Sequence, residues 1–429
     1  MQTLPATFEA KLDEAIGSTW SLMQAIGERT RGAVGITRPP YGAAEQLAAT
    51  MTEAAAQAAG LAVHFDAFGN LHAIMPGRRP DAPAIGLGSH FDSVPEGGNF
   101  DGLAGVMSAL ATLAAARAAG LEPDRSLHLV GLRGEESPWY GTAYLGSRMA
   151  LGHVPFAQMG VLTRYDTGRT LADHMLELGY AGQPPVMPVL SPAHLACWLE
   201  LHIEQGPLLI ERDLPIGIAT AIRGNIRHPT AKCFGAWAHS AAVPRAHRQD
   251  AVMAVADLIM RIDAFWTERI ALGDDNFVAT IGQFSTDPAY HAMTKVPGEV
   301  AFSLNLGATI PDTMAQAKAL VRDAIAEIEA QRHVRFDLGD DVGSQPMPLD
   351  AALIDALESS ARDLALGSFR MPTVGHDAGM FAKAGIPAAM VLVRNQNGSH
   401  NPAETMEQAD YAAGVRVLAR TALNLADAG

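Results

Sequence analysis

Short apolar runs alternate with stretches in which apolar residues recur every three or four positions, predicting strands and helices in turn. Residues 42 to 60 read as an alanine-rich helix. Leu61 to Ile74 reads as two strands around the turn signal Phe68-Gly69-Asn70. Pro83 to Gly88 is short, apolar and uncharged, like a parallel strand buried on both faces. A small-residue helix, Gly102 to Ala119, and a strand, Leu127 to Leu132, come next. This alternation implies an α/β fold with a parallel sheet at its centre. Residues 148 to 192 are rich in loops and helices, interrupted at Pro184-Pro185 and Pro188, and Trp198 to Ile203 is another apolar strand.

The texture changes near Ile216. Strand-like pieces (216 to 219, 230 to 234, 277 to 281 and 300 to 306) surround two helical stretches, Asp250 to Thr267 and Asp312 to Gln331, which is an α+β pattern. The α/β texture resumes near Arg335, with a helix over Leu353 to Leu366 and a strand over Ala388 to Val393. A chain of 429 residues is too long for one compact core. The expected division is a catalytic domain of residues 1–213 and 334–429 with an inserted α+β domain of 214–333.

Composition narrows the function classes. A net charge of -15 argues against nucleic acid or an anionic membrane as the main partner. The two cysteines, Cys197 and Cys233, form no C-x-x-C pair, so a disulfide framework is excluded and a reducing, cytoplasmic setting is expected. The first 29 residues lack the basic start and apolar core of a signal peptide. No uncharged apolar run reaches the roughly 18 residues a membrane span needs.

Candidate chemistry lies in five short segments beside apolar strands or glycine turns: His90/Asp92, Asp101, Glu135-Glu136, His202/Glu204 and Ser399-His400-Asn401-Pro402. Imidazole and carboxylate are the ligands that zinc, manganese and cobalt take. Alone, each segment reads as a structural histidine, a solvated charge pair or a turn; together, at predicted strand ends, they read as a metal site. Two ions about 3.5–4 Å apart need a bridging carboxylate, and Asp101 suits that role. Of two adjacent glutamates, one can ligate while the other moves protons. Asp92, two residues past His90, suits an acceptor for the other ring nitrogen of that histidine.

The stretch from His90-Phe91-Asp92-Ser93-Val94-Pro95 to Gly97-Gly98-Asn99-Phe100-Asp101-Gly102 resembles the first metal motif of the hydantoinase/carbamoylase amidohydrolases. That branch of the aminoacylase-type metallopeptidase clan holds N-carbamoyl-L-amino acid hydrolases, β-ureidopropionases and allantoate amidohydrolases. Leu201-His202-Ile203-Glu204-Gln205-Gly206-Pro207 resembles the branch's own signature. Gly235-Ala236-Trp237-Ala238-His239-Ser240, Gly375-His376-Asp377-Ala378 and Ser399-His400-Asn401-Pro402-Ala403-Glu404 resemble its later motifs.

The resemblance implies a mixed-sheet metallohydrolase domain with an inserted lid and dimerisation domain. It implies two divalent ions per subunit, zinc first, with manganese, cobalt or nickel as alternatives. His90, Asp101 and His202 would hold one ion; Asp101, Glu136 and His400 would hold the other. Glu135 would be general base and acid, His239 would polarise the scissile carbonyl, and Gln205 and His376 would touch substrate. The implied reaction is hydrolysis of a linear ureido or amide C–N bond in a small molecule by a homodimer. An amidase or acylase of the same clan and a non-catalytic metal-binding relative are the alternatives.

One departure stands out. Relatives clamp a substrate carboxylate with an asparagine and an arginine, where this chain has Thr294 and Gly307. Arg-to-Gly removes a bidentate fork. Either Lys295, Arg223, Arg227 or Arg394 substitutes for it, or the substrate lacks the usual α-carboxylate. Trp139 and Tyr140, after the glutamate pair, are candidates for reshaping the pocket.

Overall fold

The computed structural model describes residues 4–180, 188–274 and 276–428. The Pro184-Pro185 break lies outside them. The chain forms two compact units, Met1–Thr220 with Leu349–Gly429, and Ala221–Pro348.

The first unit is built on a mixed sheet. Its strands run in the order Ala62–Phe65, Leu71–Met75, Leu127–Leu132, Ala84–His90, Leu195–Ile203, Ala388–Val393, Ile216–Ile222. The four strands Leu127–Leu132, Ala84–His90, Leu195–Ile203 and Ala388–Val393 are mutually parallel. All seven residues of Ala84–His90 are buried, which explains its continuous apolar run. The helix Leu103–Ala118 is apolar nearly all round because it is covered nearly all round, by the sheet, Ala6–Arg29 and Gln408–Asp427. On the opposite sheet face Trp198 stacks on Phe381 of Asp377–Lys383, with ring centroids 3.9 Å apart. Among the described residues, no helix is long and apolar enough to cross a membrane.

A buried ion pair fixes the turn that leads into Glu135-Glu136. Arg133 Nη1 and Glu45 Oε2 are 2.9 Å apart and fully buried. Glu45 also accepts from the Gly134 and Tyr41 N–H groups, and Arg133 donates to the Gly69 carbonyl and Gln46. Arg133→Met would leave the Glu45 carboxylate buried without its cation. Urea unfolding should show a loss of about 3–5 kcal/mol; a change within about 0.5 kcal/mol would show the pair to be dispensable.

In the second unit, Glu299–Ala308 and Gly224–Phe234 form a long antiparallel pair, extended by Phe284–Ser285, Val278–Thr280 and Arg335–Asp337. Alternate residues of Glu299–Ala308 are buried, with Val300, Phe302, Leu304 and Leu306 in a core shared with the helices Ala251–Ala271 and Pro311–Arg332. Asp250 caps the first helix by accepting from the Met253 N–H at 3.1 Å.

The units divide at 220/221 and 348/349, against the 213/214 and 333/334 read from the sequence. Arg335–Asp337 does not resume the α/β domain: it pairs with Lys232 to Phe234 as an edge strand of the second unit's sheet. Gly224–Phe234 is twice the length read for it, because Pro229 interrupts the strand pattern. The ladder shifts register beside Pro229, between the pairs Ala231–Phe302 and His228–Leu304, so the proline costs one irregularity rather than the strand.

Candidate metal centre

The carboxyl ends of the parallel strands deliver the site. His90 ends one strand, and His202 is the penultimate residue of the next, Leu195–Ile203. Between them the chain leaves His90 through a loop, reaches Asp101 and enters the helix at Leu103. Gly102, at φ +68°, makes this path possible: a Cβ there would run into the His90 ring.

Asp101 faces two sets of donors with different oxygens. Its Oδ1 is 3.4 Å from His90 Nε2 and 3.2 Å from His202 Nε2. Its Oδ2 is 3.4 Å from His400 Nε2, which is also 3.4 Å from Glu136 Oε1. In each set, His90/Asp101/His202 and Asp101/Glu136/His400, the donor atoms lie within 4.8 Å of one another. The second set is the more open, with the His400 side chain 52% exposed.

Asp92 fixes both the first histidine and the glutamate turn. Its Oδ1 accepts from the Glu135 N–H and its Oδ2 from the Glu136 N–H, each at 3.0 Å, and its Oδ1 lies 3.3 Å from His90 Nδ1. On the other strand, His202 Nδ1 is 3.0 Å from the Ile203 carbonyl. Both histidines thus turn Nε2 toward Asp101.

The donor set suits divalent cations. Asp92, Asp101, Glu135 and Glu136 are all buried, and two of them carry the strain of their crowding. Burial pushes Glu135 well above the usual carboxylate range, against the pull of His90, and burial also raises Glu136. Asp101 goes the other way: although burial opposes ionisation, the surrounding histidines, His202 first, hold it well below the usual range. The buried cation behind these loops is Arg38, which donates to the Phe91 carbonyl and Asn99 Oδ1 and stays charged at neutral pH although burial lowers it to about 10. Imidazole nitrogens and carboxylate oxygens gathered around one shared carboxylate are the ligand types of zinc, manganese or cobalt.

Gln205 has a left-handed backbone (φ +66°) and donates from Nε2 to Asp101 Oδ2 at 2.7 Å. His376 is buried, bonded through Nε2 to Thr373 Oγ1 at 3.0 Å, with its ring centroid 4.2 Å from that of His202. His239 belongs to the second unit and is exposed. Its Nδ1 accepts from the Ala241 and Ala242 N–H groups, both at 3.2 Å, which leaves Nε2 as the nitrogen that can donate.

Other readings resolve as structure. Glu204 accepts from the Leu208 and Leu209 N–H groups and opens a short helix. Trp139 is buried, donating to the Ser93 carbonyl at 2.7 Å, and Tyr140 is buried beside it, so the pair anchors the glutamate loop. Cys197 and Cys233 are buried free thiols. Gly307 is buried in the second unit's sheet, where a Cβ would lie 3.0 Å from Val278 Cγ2 and 3.2 Å from the Gly224 carbonyl, while Thr294 is exposed and accepts from the Ser240 N–H. Arg394 is held by Asp410 and Asp213. Arg223 is bonded to the Asn276 carbonyl, Lys295 to the Tyr290 carbonyl and Arg227 to Asn305 Oδ1.

A family model described as peptidase family M20/M25/M40 matches residues 86–424. The chain belongs to this family. An N-carbamoyl-L-amino-acid amidohydrolase of Paenarthrobacter aurescens is 31% identical to it over 394 residues, covering 90% of this chain and 92% of that one. An N-carbamoyl-L-amino acid amidohydrolase of Geobacillus stearothermophilus is 31% identical over 413 residues, covering 95% and 98%. A solved hydantoinase/carbamoylase amidase from Burkholderia multivorans superimposes with a TM-score of 0.88 at 25% identity, covering 96% of this chain and 98% of that one. Sequence reasoning passes over Glu404 as a site residue although it ends the last quoted motif, and nothing in the sequence marks Arg38, one of 26 scattered arginines, as buried behind the site.

Proposed function

We propose that this M20-family hydrolase is a divalent-metal-dependent amidohydrolase that cleaves a linear, non-peptide C–N bond in an N-carbamoyl, ureido or amide substrate. The observation that carries the proposal is Asp101, whose two oxygens face separate donor sets beside the Glu135-Glu136 pair. In this reading His90, Asp101 and His202 hold one ion and Asp101, Glu136 and His400 a second, with zinc the first choice of metal. Bound there, the ions would polarise the substrate carbonyl and acidify the attacking water.

The chain's own residues do the rest. Glu135 takes a proton from that water and returns it to the leaving nitrogen. Asp92 holds the Glu135 and Glu136 backbone N–H groups, so base and ligand keep a fixed separation. His239 is assigned to donate from Nε2 to the oxygen that gains charge in the tetrahedral step. Gln205 and His376 orient the substrate; Gln205 Oε1 and His376 Nδ1 are buried polar atoms with no protein hydrogen bond of their own. Ala221–Pro348 is assigned as lid and dimerisation unit, and the enzyme as a cytoplasmic homodimer. Light scattering at micromolar concentration should give twice the chain mass of 45.2 kDa, before and after chelation; a monomer would remove the dimer from the reading.

The substrate panel is N-carbamoyl-L-amino acids, β-ureidopropionate, allantoate and neutral N-acyl amides, with protein loaded with Zn²⁺, Mn²⁺ or Co²⁺. With Thr294 and Gly307 in place of an asparagine and an arginine, simple N-carbamoyl-L-amino acids should be poor substrates. A lost charge-assisted contact of about 1.5–3 kcal/mol corresponds to roughly 10–150-fold in kcat/KM. A substrate with a different or absent carboxylate should do better. A kcat/KM of about 10⁴ M⁻¹s⁻¹ or more on a common N-carbamoyl-L-amino acid would show that another cation binds the carboxylate. Gly307→Arg is a poor rescue, since even a Cβ meets Val278 and the Gly224 carbonyl.

A further inference from the structure

We infer that Glu404 is the positioning residue for the Asp101/Glu136/His400 half of the site, doing there what Asp92 does for the turn that carries Glu136. The inference rests on the two-ion reading above.

The two carboxylates are built into the site in parallel ways. Asp92 accepts from two successive backbone N–H groups, of Glu135 and Glu136, and approaches the ligand side chain His90. Glu404, buried to 5% exposure, accepts on Oε1 from the successive N–H groups of Phe100, at 2.9 Å, and Asp101, at 3.3 Å. Its Oε2 accepts from Ser399 Oγ at 2.6 Å, and Ser399 is the residue before His400. Ser399 Oγ is also 2.7 Å from Asp101 Oδ2. One carboxylate therefore ties the shared ligand's backbone to the loop that carries His400, from 304 residues away in sequence for Phe100 and five for Ser399. Gly98 makes room, because a Cβ there would run into the Glu404 side chain.

The two donor sets need this help unequally. His90 and His202 sit on strands whose ladders fix their backbones. His400 sits on a loop, in a left-handed backbone (φ +59°), with Asn397 and Gly398 also at positive φ. Such backbone persists only where its surroundings over-determine it. The loop has the Gln396–Thr405 bridge at its base and the Ser399–Glu404 bond within it. Among the described residues, Glu404 is the side chain that joins that loop to the Asp101 backbone, while Ser399 Oγ reaches the Asp101 side chain. Removing Glu404 should loosen His400 relative to Asp101 and leave His90, His202 and the Asp101 Oδ1 side in place.

The test compares wild type with Glu404→Ala, Glu404→Gln and Ser399→Ala. Each Zn²⁺-loaded protein is equilibrated against buffers of fixed free Zn²⁺, and bound ions are counted. Wild type should hold two ions. Glu404→Ala should release one ion at about 10–100-fold higher free Zn²⁺ and keep the other within about threefold. Anomalous scattering from crystals of the one-ion form should place the retained ion at His90/Asp101/His202. Glu404→Gln keeps an oxygen for the Phe100 and Asp101 N–H groups and should recover part of the loss. Ser399→Ala, which removes both the bond to Glu404 Oε2 and the contact with Asp101 Oδ2 on the same side of the site, should weaken the same ion and serves if Glu404→Ala does not fold. Equal weakening of both ions, or no change in either, would overturn the role of Glu404. A wild type that never binds two ions would instead overturn the two-ion reading.

Discussion

Glu135→Gln should retain both metal ions and lose about 10²–10⁴-fold in turnover, the usual scale for general acid–base catalysis. The amide matches the carboxylate in volume but cannot accept a proton from water at neutral pH. The backbone N–H of residue 135 would still reach Asp92, so the turn carrying Glu136 should keep its place. Glu135 is buried, and glutamine fills the same volume, so the substitution opens no cavity. The variant should melt close to the wild-type temperature. Loss of activity without loss of ions or stability is the signature of a proton-transfer residue. Near wild-type turnover, at full metal content, would remove Glu135 from its role.

Asp101→Ala should have the other large effect, through the ions. Asp101 is the one residue common to both donor sets, with one oxygen turned to each. Its loss leaves each set with two ligands. Ion content should fall from two per chain toward zero at free Zn²⁺ levels that saturate wild type. Turnover should fall by about 10³-fold or more, since the ions supply several kcal/mol of transition-state stabilisation and each 1.36 kcal/mol is tenfold in rate. The two variants separate two causes: Glu135→Gln keeps the ions and loses the proton step, whereas Asp101→Ala loses the ions. An Asp101→Ala protein with two ions and near-normal turnover would contradict the shared-ligand arrangement.

The first unit was more legible in the sequence than the second. Leu127–Leu132 and Ala388–Val393 are legible to the residue, because parallel strands buried on both faces show as apolar runs between breakers, unbroken in Ala388–Val393 and interrupted once, at His128, in Leu127–Leu132. In the second unit one sheet face is polar, and the pattern weakens. Gly224–Phe234 was half lost behind Pro229, and Arg335–Asp337 was assigned to the wrong unit because three residues carry no sign of their partner strand. The candidate ligands were legible because their segments lie at strand ends and glycine turns. The groups that hold them were not. Glu404 reaches Phe100 across 304 residues and Arg38 reaches Asn99 across 61, pairings that local spacing cannot encode. Trp139 and Tyr140 read from the sequence either as pocket-shaping residues or, as aromatics near a site more often are, as packing, and their burial favours packing.

In the proposed function, two ions held by these residues drive hydrolysis of a C–N bond. The most direct measurement counts ions and product in the same samples: metal per chain, and ammonia or amine released from the substrate panel, for protein as purified, chelated and reloaded. Two ions per chain, turnover of at least one ureido or amide substrate, loss of that turnover on chelation and its return with Zn²⁺, Mn²⁺ or Co²⁺ are expected. Full turnover persisting after both ions are removed, or two bound ions with no turnover of any member of the panel, would contradict the proposed function.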